Sequence, residues 1–131
     1  MYSITKTFTF SASHQLYGLA PDHRCGRIHG HNYTAEILLA ASELDSRGFV
    51  VEFGELAPIR RYIDSVLDHR HLNDVLPSQP SSENLARHLY DWCATNLDKP
   101  IVARLRAVRV SETASTSATY QPDEAIHGAG R

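Results

Sequence analysis

The sequence predicts an α+β fold in which two helices cover one face of a four-stranded antiparallel sheet. Apolar residues alternate with polar ones over residues 4–14 and 29–40, as is typical of half-buried strands. After residue 55 the apolar positions recur at helical spacing, and two further strand-like segments follow at 101–113 and 115–121. The element order is therefore β-β-α-α-β-β. Packing both helices on one face of the sheet buries the apolar side of every element.

The two N-terminal strands are separated by a loop. In the first strand, alternate residues share one face, and these are Ile4, Lys6, Phe8, Phe10, Ala12 and His14. Residues 15–27 contain Gly18, Pro21 and Gly26, which favour a loop, and residues 41–48 form a turn after the second strand. We therefore expect the first two strands to lie side by side as an antiparallel hairpin.

Two helices are predicted between the strand pairs. The first is indicated by apolar residues at helical spacing, namely Leu56, Ile59, Ile63, Val66 and Leu67. Pro58 is compatible with this helix because it falls in the first turn, and the helix ends near the segment LDHRHLND. The second helix starts with Ser81 or Ser82 as its N-cap and ends before Pro100. Its apolar stripe consists of Leu85, Ala86, Leu89, Trp92, Cys93 and Leu97.

Composition and charge exclude several functional classes. The 131 residues suffice for one domain, which we place at 1–121, followed by a C-terminal tail at 122–131. The net charge is −2 and the 13 Lys and Arg residues form no long run, which argues against nucleic acid or an anionic membrane as a partner. No stretch approaches the roughly 18 apolar residues of a membrane span. The N-terminus lacks a signal-peptide pattern, and two cysteines make no disulfide framework, so we expect a cytoplasmic protein.

A four-stranded sheet on its own leaves two open edges. The unpaired backbone groups of edge strands favour pairing with another chain. Joining the edges of sister subunits would satisfy these groups, so the sequence predicts a homo-oligomer.

Three histidines suggest a metal site. His29 and His31 are two residues apart in a predicted strand, so their side chains point the same way, with backbones about 6.6 Å apart. His14 ends the neighbouring strand. Three histidines form a typical catalytic zinc set, which leaves the fourth position for water or substrate. The alternative is that these are ordinary polar or core histidines.

Cys25 lies in the predicted loop, four residues before His29. Arg24 and Arg27 flank it, and positive charge favours the thiolate, which is the reactive form of cysteine. The alternative is a small buried hydrophobic residue. Cys93, by contrast, lies on the apolar stripe of the second helix and is expected in the core.

Asp68 and His69 are neighbours at the predicted C-terminal end of the first helix. An aspartate beside a histidine can orient the imidazole and stabilise its charged form, as in general acid–base relays. Favourable capping of the helix C-terminus by a cationic side chain explains the same residues equally well.

Glu112 ends an alternating strand, in phase with Val108 and Val110. If that face is buried, an unpaired carboxylate is costly and needs a partner, and a ligand that offers two N–H donors would serve. The alternative is a carboxylate at an exposed strand end.

Taken together, these segments resemble the 6-pyruvoyltetrahydropterin synthase / 6-carboxytetrahydropterin synthase family. The matching pieces, in chain order, are FSASHQL, CGRIHGHNY, GFVVEFGEL, LDHRHLN, PSSEN and SET, which extend the resemblance from residue 4 to about residue 120. The resemblance implies the tunnelling fold, whose subunits join their sheets into a barrel, usually as trimers stacked into a hexamer, with active sites at subunit interfaces.

The resemblance also implies roles for the residues singled out above. Zinc ligands fall on His14, His29 and His31; the catalytic cysteine falls on Cys25, the Asp–His pair on Asp68 and His69, and the pterin-anchoring glutamate on Glu112.

The spacing of Cys25 distinguishes branches of this family. The pattern C-x3-H-G-H resembles the 6-carboxytetrahydropterin synthase branch, which converts 7,8-dihydroneopterin triphosphate to 6-carboxy-5,6,7,8-tetrahydropterin with release of acetaldehyde and triphosphate, in 7-deazapurine or queuosine-type biosynthesis. One alternative is a 6-pyruvoyltetrahydropterin synthase acting on the same substrate, although that branch tends to carry a longer gap. A second is a non-catalytic zinc- or pterin-binding module, which would have no use for Cys25 together with Asp68 and His69.

Overall fold

The structure, a computed structural model, describes residues 1–123 and contains a five-stranded sheet. The strands are β1 (Tyr2–His14), β2 (His29–Ala41), β3 (Arg70–His71), β4 (Leu105–Thr113) and β5 (Thr116–Tyr120), in the spatial order β3-β1-β2-β4-β5. The predicted α+β class and the four antiparallel strands are confirmed. The fifth strand is the two-residue β3, which pairs in parallel with Ala12 and Ser13 of β1.

In the described part of the chain, three helices accompany the sheet: α1 (Ala57–Tyr62), α2 (Ser82–Asn96) and α3 (Lys99–Val102). A 3-10 turn (Phe53–Leu56) leads into α1, which continues as a π-helical segment (Ile63–Leu67). Two further 3-10 turns lie at Arg24–Gly26 and Leu72–Asp74. Within residues 1–123, no helix combines the length and apolarity needed to cross a bilayer.

One face of the sheet carries the core. The predicted alternation in β1 holds from Phe8 onwards, since Phe8, Phe10, Ala12 and His14 are buried, while Lys6 is exposed. The π-helical segment packs against β1, and α2 packs against β4 and β5. The innermost residues, all without exposed surface, are Ala35, Ile37, Leu39, Leu56, Ile59, Ile63, Leu67, Leu72, Leu85, Ala86, Leu89, Cys93, Val108 and Val110.

The register between β1 and β2 decides which residues share a face. The two strands pair antiparallel over their full lengths, with Ala12 opposite His31 and His14 opposite His29. Residues directly opposite one another in an antiparallel pair lie on the same face of the sheet. His14, His29 and His31 therefore project from the helix-covered face, at the end of the sheet where β1 stops and β2 starts.

Some boundaries differ from the sequence predictions. The strand predicted from residue 101 begins only at Leu105, because residues 99–102 form α3 with Asp98 as its N-cap. Pro100, which we expected only to end the second helix, occupies the first turn of α3, where its missing N–H costs no hydrogen bond. Of the two N-cap candidates, Ser81 takes the role and accepts a hydrogen bond from the N–H of Asn84. The predicted tail at 122–131 lies outside the described residues, apart from its first two.

Replacing Leu89 by alanine tests the packing of α2 on the sheet. The side chain is fully buried, so Leu89→Ala should lower the free energy of unfolding by about 2–5 kcal/mol, from lost apolar burial and the cavity left behind. Asp91→Ala, at an exposed position of the same helix, should change it by no more than about 0.5 kcal/mol. Both changes are measured by urea titration at fixed protein concentration. Unfolding is monitored by the fluorescence of Trp92, which stacks on Tyr62. Equal effects of the two substitutions would contradict this packing.

Candidate metal centre and active site

Four side chains converge at one end of the sheet. His14, His29, His31 and Glu112 each offer one ligand atom, and these atoms all lie within 4.8 Å of one another. His14 ends β1, His29 and His31 open β2, and Glu112 lies near the end of β4. His14 is completely buried and the other three are partly buried. The structure thus brings the three predicted metal ligands together and adds Glu112 to them.

Backbone carbonyls fix the orientation of two of the imidazoles. Nδ1 of His14 lies 2.7 Å from the carbonyl oxygen of Pro80, and Nδ1 of His29 lies 2.7 Å from that of Arg27. A carbonyl can only accept, so both Nδ1 atoms carry the proton and donate it. In the neutral rings, Nε2 then presents a lone pair. Such a second hydrogen bond, to a backbone carbonyl, is typical of metal-ligating histidines.

The two lone pairs point at each other. Nε2 of His14 lies 2.9 Å from Nε2 of His29. With both Nδ1–H groups engaged by carbonyls, two neutral rings have no proton to share across this gap. A cation bound by both lone pairs resolves the repulsion.

His31 completes the fit to a cation. Its Nε2 is buried and has no hydrogen-bond partner, although it lies 2.8 Å from Oε2 of Glu112. That contact is an ion pair only if the ring is protonated. Burial lowers the pKa of His31; the Glu112 carboxylate raises it, but the neighbouring imidazoles oppose protonation, and the net shift is downward. A neutral His31 with its proton on Nδ1 would present a third lone pair at Nε2, and this donor set suits a divalent metal ion such as zinc.

Glu112 connects this cluster to the start of α2. The side chain is on the helix-covered face, in phase with Val108 and Val110 as predicted, and the residue is only partly exposed. Its Oε1 accepts a hydrogen bond from the hydroxyl of Ser82, the first residue of α2, while Oε2 faces His31 and His14. Beneath it, burial and the Glu112 charge raise the pKa of Tyr33 well above the usual tyrosine range.

Cys25 lies in the 3-10 turn of the β1–β2 loop and is a free, partly buried thiol. The loop is tied to the end of β1 by two hydrogen bonds. The N–H of Leu16 donates to the Cys25 carbonyl at 3.2 Å, and the side-chain amide of Gln15 donates to the Gly26 carbonyl at 2.9 Å. Cys25 is therefore attached close to His14, but its sulfur is not among the cluster's ligand atoms.

Asn73 also holds the end of β1, through two hydrogen bonds to the backbone of Gln15. Its side-chain oxygen accepts from the N–H of Gln15 at 2.9 Å, and its amide donates to the Gln15 carbonyl at 2.8 Å. Gln15 and Asn73 were not singled out from the sequence, and Ser82 was considered only as an N-cap. All three lie within the segments that carried the family resemblance, FSASHQL, LDHRHLN and PSSEN, which was the signal that could have found them.

Asp68 and His69 are held as a pair against β1. Oδ1 of Asp68 accepts from the N–H of Ser11 at 2.9 Å and lies 3.1 Å from Nδ1 of His69. The Ser11 hydrogen bond, assisted by His69, holds the pKa of Asp68 below its usual range. His69 adopts a left-handed backbone conformation (φ 60°), rare for a residue other than glycine, while its own N–H donates to the Ser11 carbonyl. This backbone presents an imidazole that is 81% exposed.

In one chain, this pair and the metal-ligand cluster lie on opposite faces of the sheet. His69 lines a cavity of about 430 Å³ whose other walls are Ser11, Ala12, Ser13, Gly30, His31 and Asn32. Four of these, Ser11, Ser13, Gly30 and Asn32, alternate along β1 and β2 with the buried positions and belong to the face without helices. The structure therefore does not place Asp68 and His69 among the imidazoles of the same chain.

Known proteins match this chain along almost its whole length. The 6-pyruvoyl tetrahydropterin synthase family profile matches residues 3–123. The 6-carboxy-5,6,7,8-tetrahydropterin synthases of Synechocystis sp. and Bacillus subtilis are 34% and 32% identical; each match spans 92% of this chain and 93% or 86% of the relative. The 6-pyruvoyl tetrahydrobiopterin synthase of Drosophila melanogaster is 31% identical, over 95% of this chain and 82% of its own.

Solved structures agree on the fold. The 6-pyruvoyl tetrahydropterin synthase of Caenorhabditis elegans superimposes with a TM-score of 0.81 at 24% identity, over 93% of this chain and 96% of that one. With the profile match and these relatives, the chain belongs to the 6-pyruvoyl tetrahydropterin synthase family.

Proposed function

We propose that the protein is a zinc-dependent 6-carboxy-5,6,7,8-tetrahydropterin synthase that converts 7,8-dihydroneopterin triphosphate and water to 6-carboxytetrahydropterin, acetaldehyde and triphosphate. The observation that carries this proposal is the convergence of three imidazole nitrogens and a carboxylate within 4.8 Å. The carboxy branch is favoured by the C-x3-H-G-H spacing of Cys25 and by the names of the Synechocystis and B. subtilis relatives.

His14, His29 and His31 would hold the metal ion. When bound there, the ion supplies Lewis acidity toward the hydroxyl groups of the substrate side chain, which acidifies them and the adjoining C–H bonds. Glu112 would orient the pterin ring by accepting hydrogen bonds from its amino group and a ring N–H, a bidentate contact that fixes both position and angle.

Proton transfer would fall to Cys25 and to the Asp68–His69 pair. Cys25 would move a proton at the side-chain carbon next to the pterin ring, from a loop anchored beside His14. His69, oriented by Asp68, would handle protons on the opposite side of the substrate. Because the pair faces away from its own chain's imidazoles, we propose that it serves the cluster of a neighbouring subunit.

A homo-oligomer of this kind is supported by the two edges of the sheet. Within residues 1–123, β3 pairs only with Ala12 and Ser13 of β1 and no strand pairs with the outer edge of β5, so most of both outer edges is open there. Edge-to-edge pairing of subunits would close the sheets into a barrel, and we propose trimers stacked into a hexamer.

The main rival is the pyruvoyl-forming reaction on the same substrate, which the Drosophila relative's name favours. Incubation of the metal-loaded protein with 7,8-dihydroneopterin triphosphate, followed by mass analysis, separates the two. We expect acetaldehyde and 6-carboxytetrahydropterin in equal amounts, and none after treatment with a chelator. A product that has lost triphosphate but retains all three side-chain carbons would assign the protein to the pyruvoyl branch. A substrate left unchanged would favour a non-catalytic binding module.

Removing one imidazole tests the metal site. His29→Ala should lose at least about tenfold in zinc affinity, because one of three lone pairs directed at the ion disappears. His88→Gln is the control, since His88 bonds to Tyr62 away from the cluster and its loss should leave the zinc content near that of the parent protein. Elemental analysis after dialysis against limiting zinc measures both. Full zinc retention by His29→Ala would exclude that residue as a ligand.

The two cysteines offer a matched test of the catalytic thiol. Cys25→Ala should keep its zinc and its oligomeric state but lose about 100-fold or more in turnover, the usual scale for a proton-transfer group. Cys93→Ala removes the other thiol, which is buried in the core with its pKa raised to about 12 by burial, and should lower stability rather than turnover per folded molecule. Unchanged turnover in Cys25→Ala would remove this residue from the mechanism.

A further inference from the structure

Both carboxylate oxygens of Glu112 face other groups of the chain. Oε1 accepts the Ser82 hydroxyl proton, and Oε2 lies 2.8 Å from Nε2 of His31 and 3.7 Å from Nε2 of His14. A bidentate contact with a pterin ring needs one lone pair of each oxygen directed at the ring. A pterin anchored by Glu112 would therefore compete with the groups that these oxygens face here.

The direction of Oε2 indicates what it does in this conformation. It lies close to Nε2 of His31 and of His14, and a carboxylate oxygen of Glu112 is within 4.8 Å of one nitrogen of each of the three imidazoles. Its nearest neighbour, Nε2 of His31, is buried and without a hydrogen-bond partner, so it does not hold Oε2 as a donor. An anionic oxygen held against neutral lone pairs is unfavourable unless a cation lies between them. A carboxylate oxygen is also a normal zinc ligand and would complete a four-coordinate set with three histidines.

We propose that Glu112 is the fourth metal ligand in the substrate-free protein and that a pterin ring, by claiming the same carboxylate, withdraws it and opens the coordination position. This inference rests on the proposed pterin-anchoring role of Glu112. Its consequence is that the metal gains an open position only when a pterin is seated. Recognition of the ring thereby controls assembly of the catalytic site, a form of induced fit.

The proposed exchange, in which Glu112 leaves the metal to bind a pterin, makes a thermodynamic prediction. If pterin binding removes a metal ligand, then pterin weakens metal binding, and metal weakens pterin binding by the same factor. Unsubstituted pterin is the appropriate probe because it has the ring but no side-chain hydroxyls that could replace the lost ligand.

The first measurement needs no pterin. Zinc affinity is determined by competition with a chromogenic chelator for the parent protein and for Glu112→Gln, which keeps the shape but removes the anionic ligand. We expect at least the roughly tenfold loss that removal of even an outer-shell partner produces. Glu36→Gln is the matched control, because it removes one carboxylate from the opposite face of the sheet and should leave zinc affinity unchanged. Equal affinities in all three proteins would overturn the proposal.

The second measurement repeats the competition with saturating pterin. The zinc affinity of the parent protein should fall by about fivefold or more, within the usual range of coupling between sites. Glu112→Gln at the same pterin concentration should show no further fall, which also corrects for zinc chelation by pterin in solution. A parent protein that binds pterin without any change in zinc affinity would overturn the exchange.

A direct measurement of pterin binding, detected by quenching of the fluorescence of the pterin ring, separates this proposal from the proposed function. If pterin does not bind to the parent protein at all, the pterin-anchoring role and the exchange both fail, while a weaker zinc affinity in Glu112→Gln still identifies the fourth ligand. If pterin binds and zinc affinity is insensitive to Glu112, the anchor stands and the metal role is wrong.

Discussion

The antiparallel pairing of β1 with β2 is the constraint on which the site depends. It sets His14 opposite His29 and Ala12 opposite His31, so that three imidazoles project from one face and the small Ala12 leaves room beside His31. A slip of one residue would send His29 and His31 to the other face. The register is fixed farther along the same strands, where Phe10 stacks on Tyr33 in the core. The position of the candidate metal ligands is thus a consequence of hydrophobic packing.

The surroundings of two of the imidazoles decide which ring nitrogen carries the proton and which is left to bind a ligand. Carbonyls that precede α2 and β2, those of Pro80 and Arg27, place the proton on Nδ1 of two histidines and leave Nε2 free to bind. The first residue of α2, Ser82, holds the carboxylate that faces them. Loops next to strand and helix ends therefore supply the orienting contacts, and a shift of α2 would alter both His14 and Glu112.

The sequence predicted the parts that follow from local periodicity. Alternation located β1 and β2, helical spacing located α2, and the His-Gly-His pattern with His14 predicted the cluster. It did not predict β3, because a strand of two residues is too short to show an alternating pattern. It did not predict α3, because a proline that follows a helix is equally compatible with the end of that helix and with the first turn of a new one. The periodicity of the sequence also did not predict the position of Glu112 among the imidazoles. The alternation along a strand indicates which face a side chain is on, whereas the neighbours of that side chain depend on how β4 and α2 pack.

The placement of Asp68 and His69 follows from the same packing and has a functional consequence. The pair is bound to the backbone of Ser11, one residue before Ala12, yet it opens on the face opposite the imidazoles because neighbouring residues of a strand point in opposite directions. The exposed His69 is therefore directed away from the face on which its own chain's imidazoles converge. Joining subunits at the open edge of β1 brings one chain's exposed His69 toward another chain, so the assembly that satisfies the sheet edges is also the one through which we propose the site becomes complete.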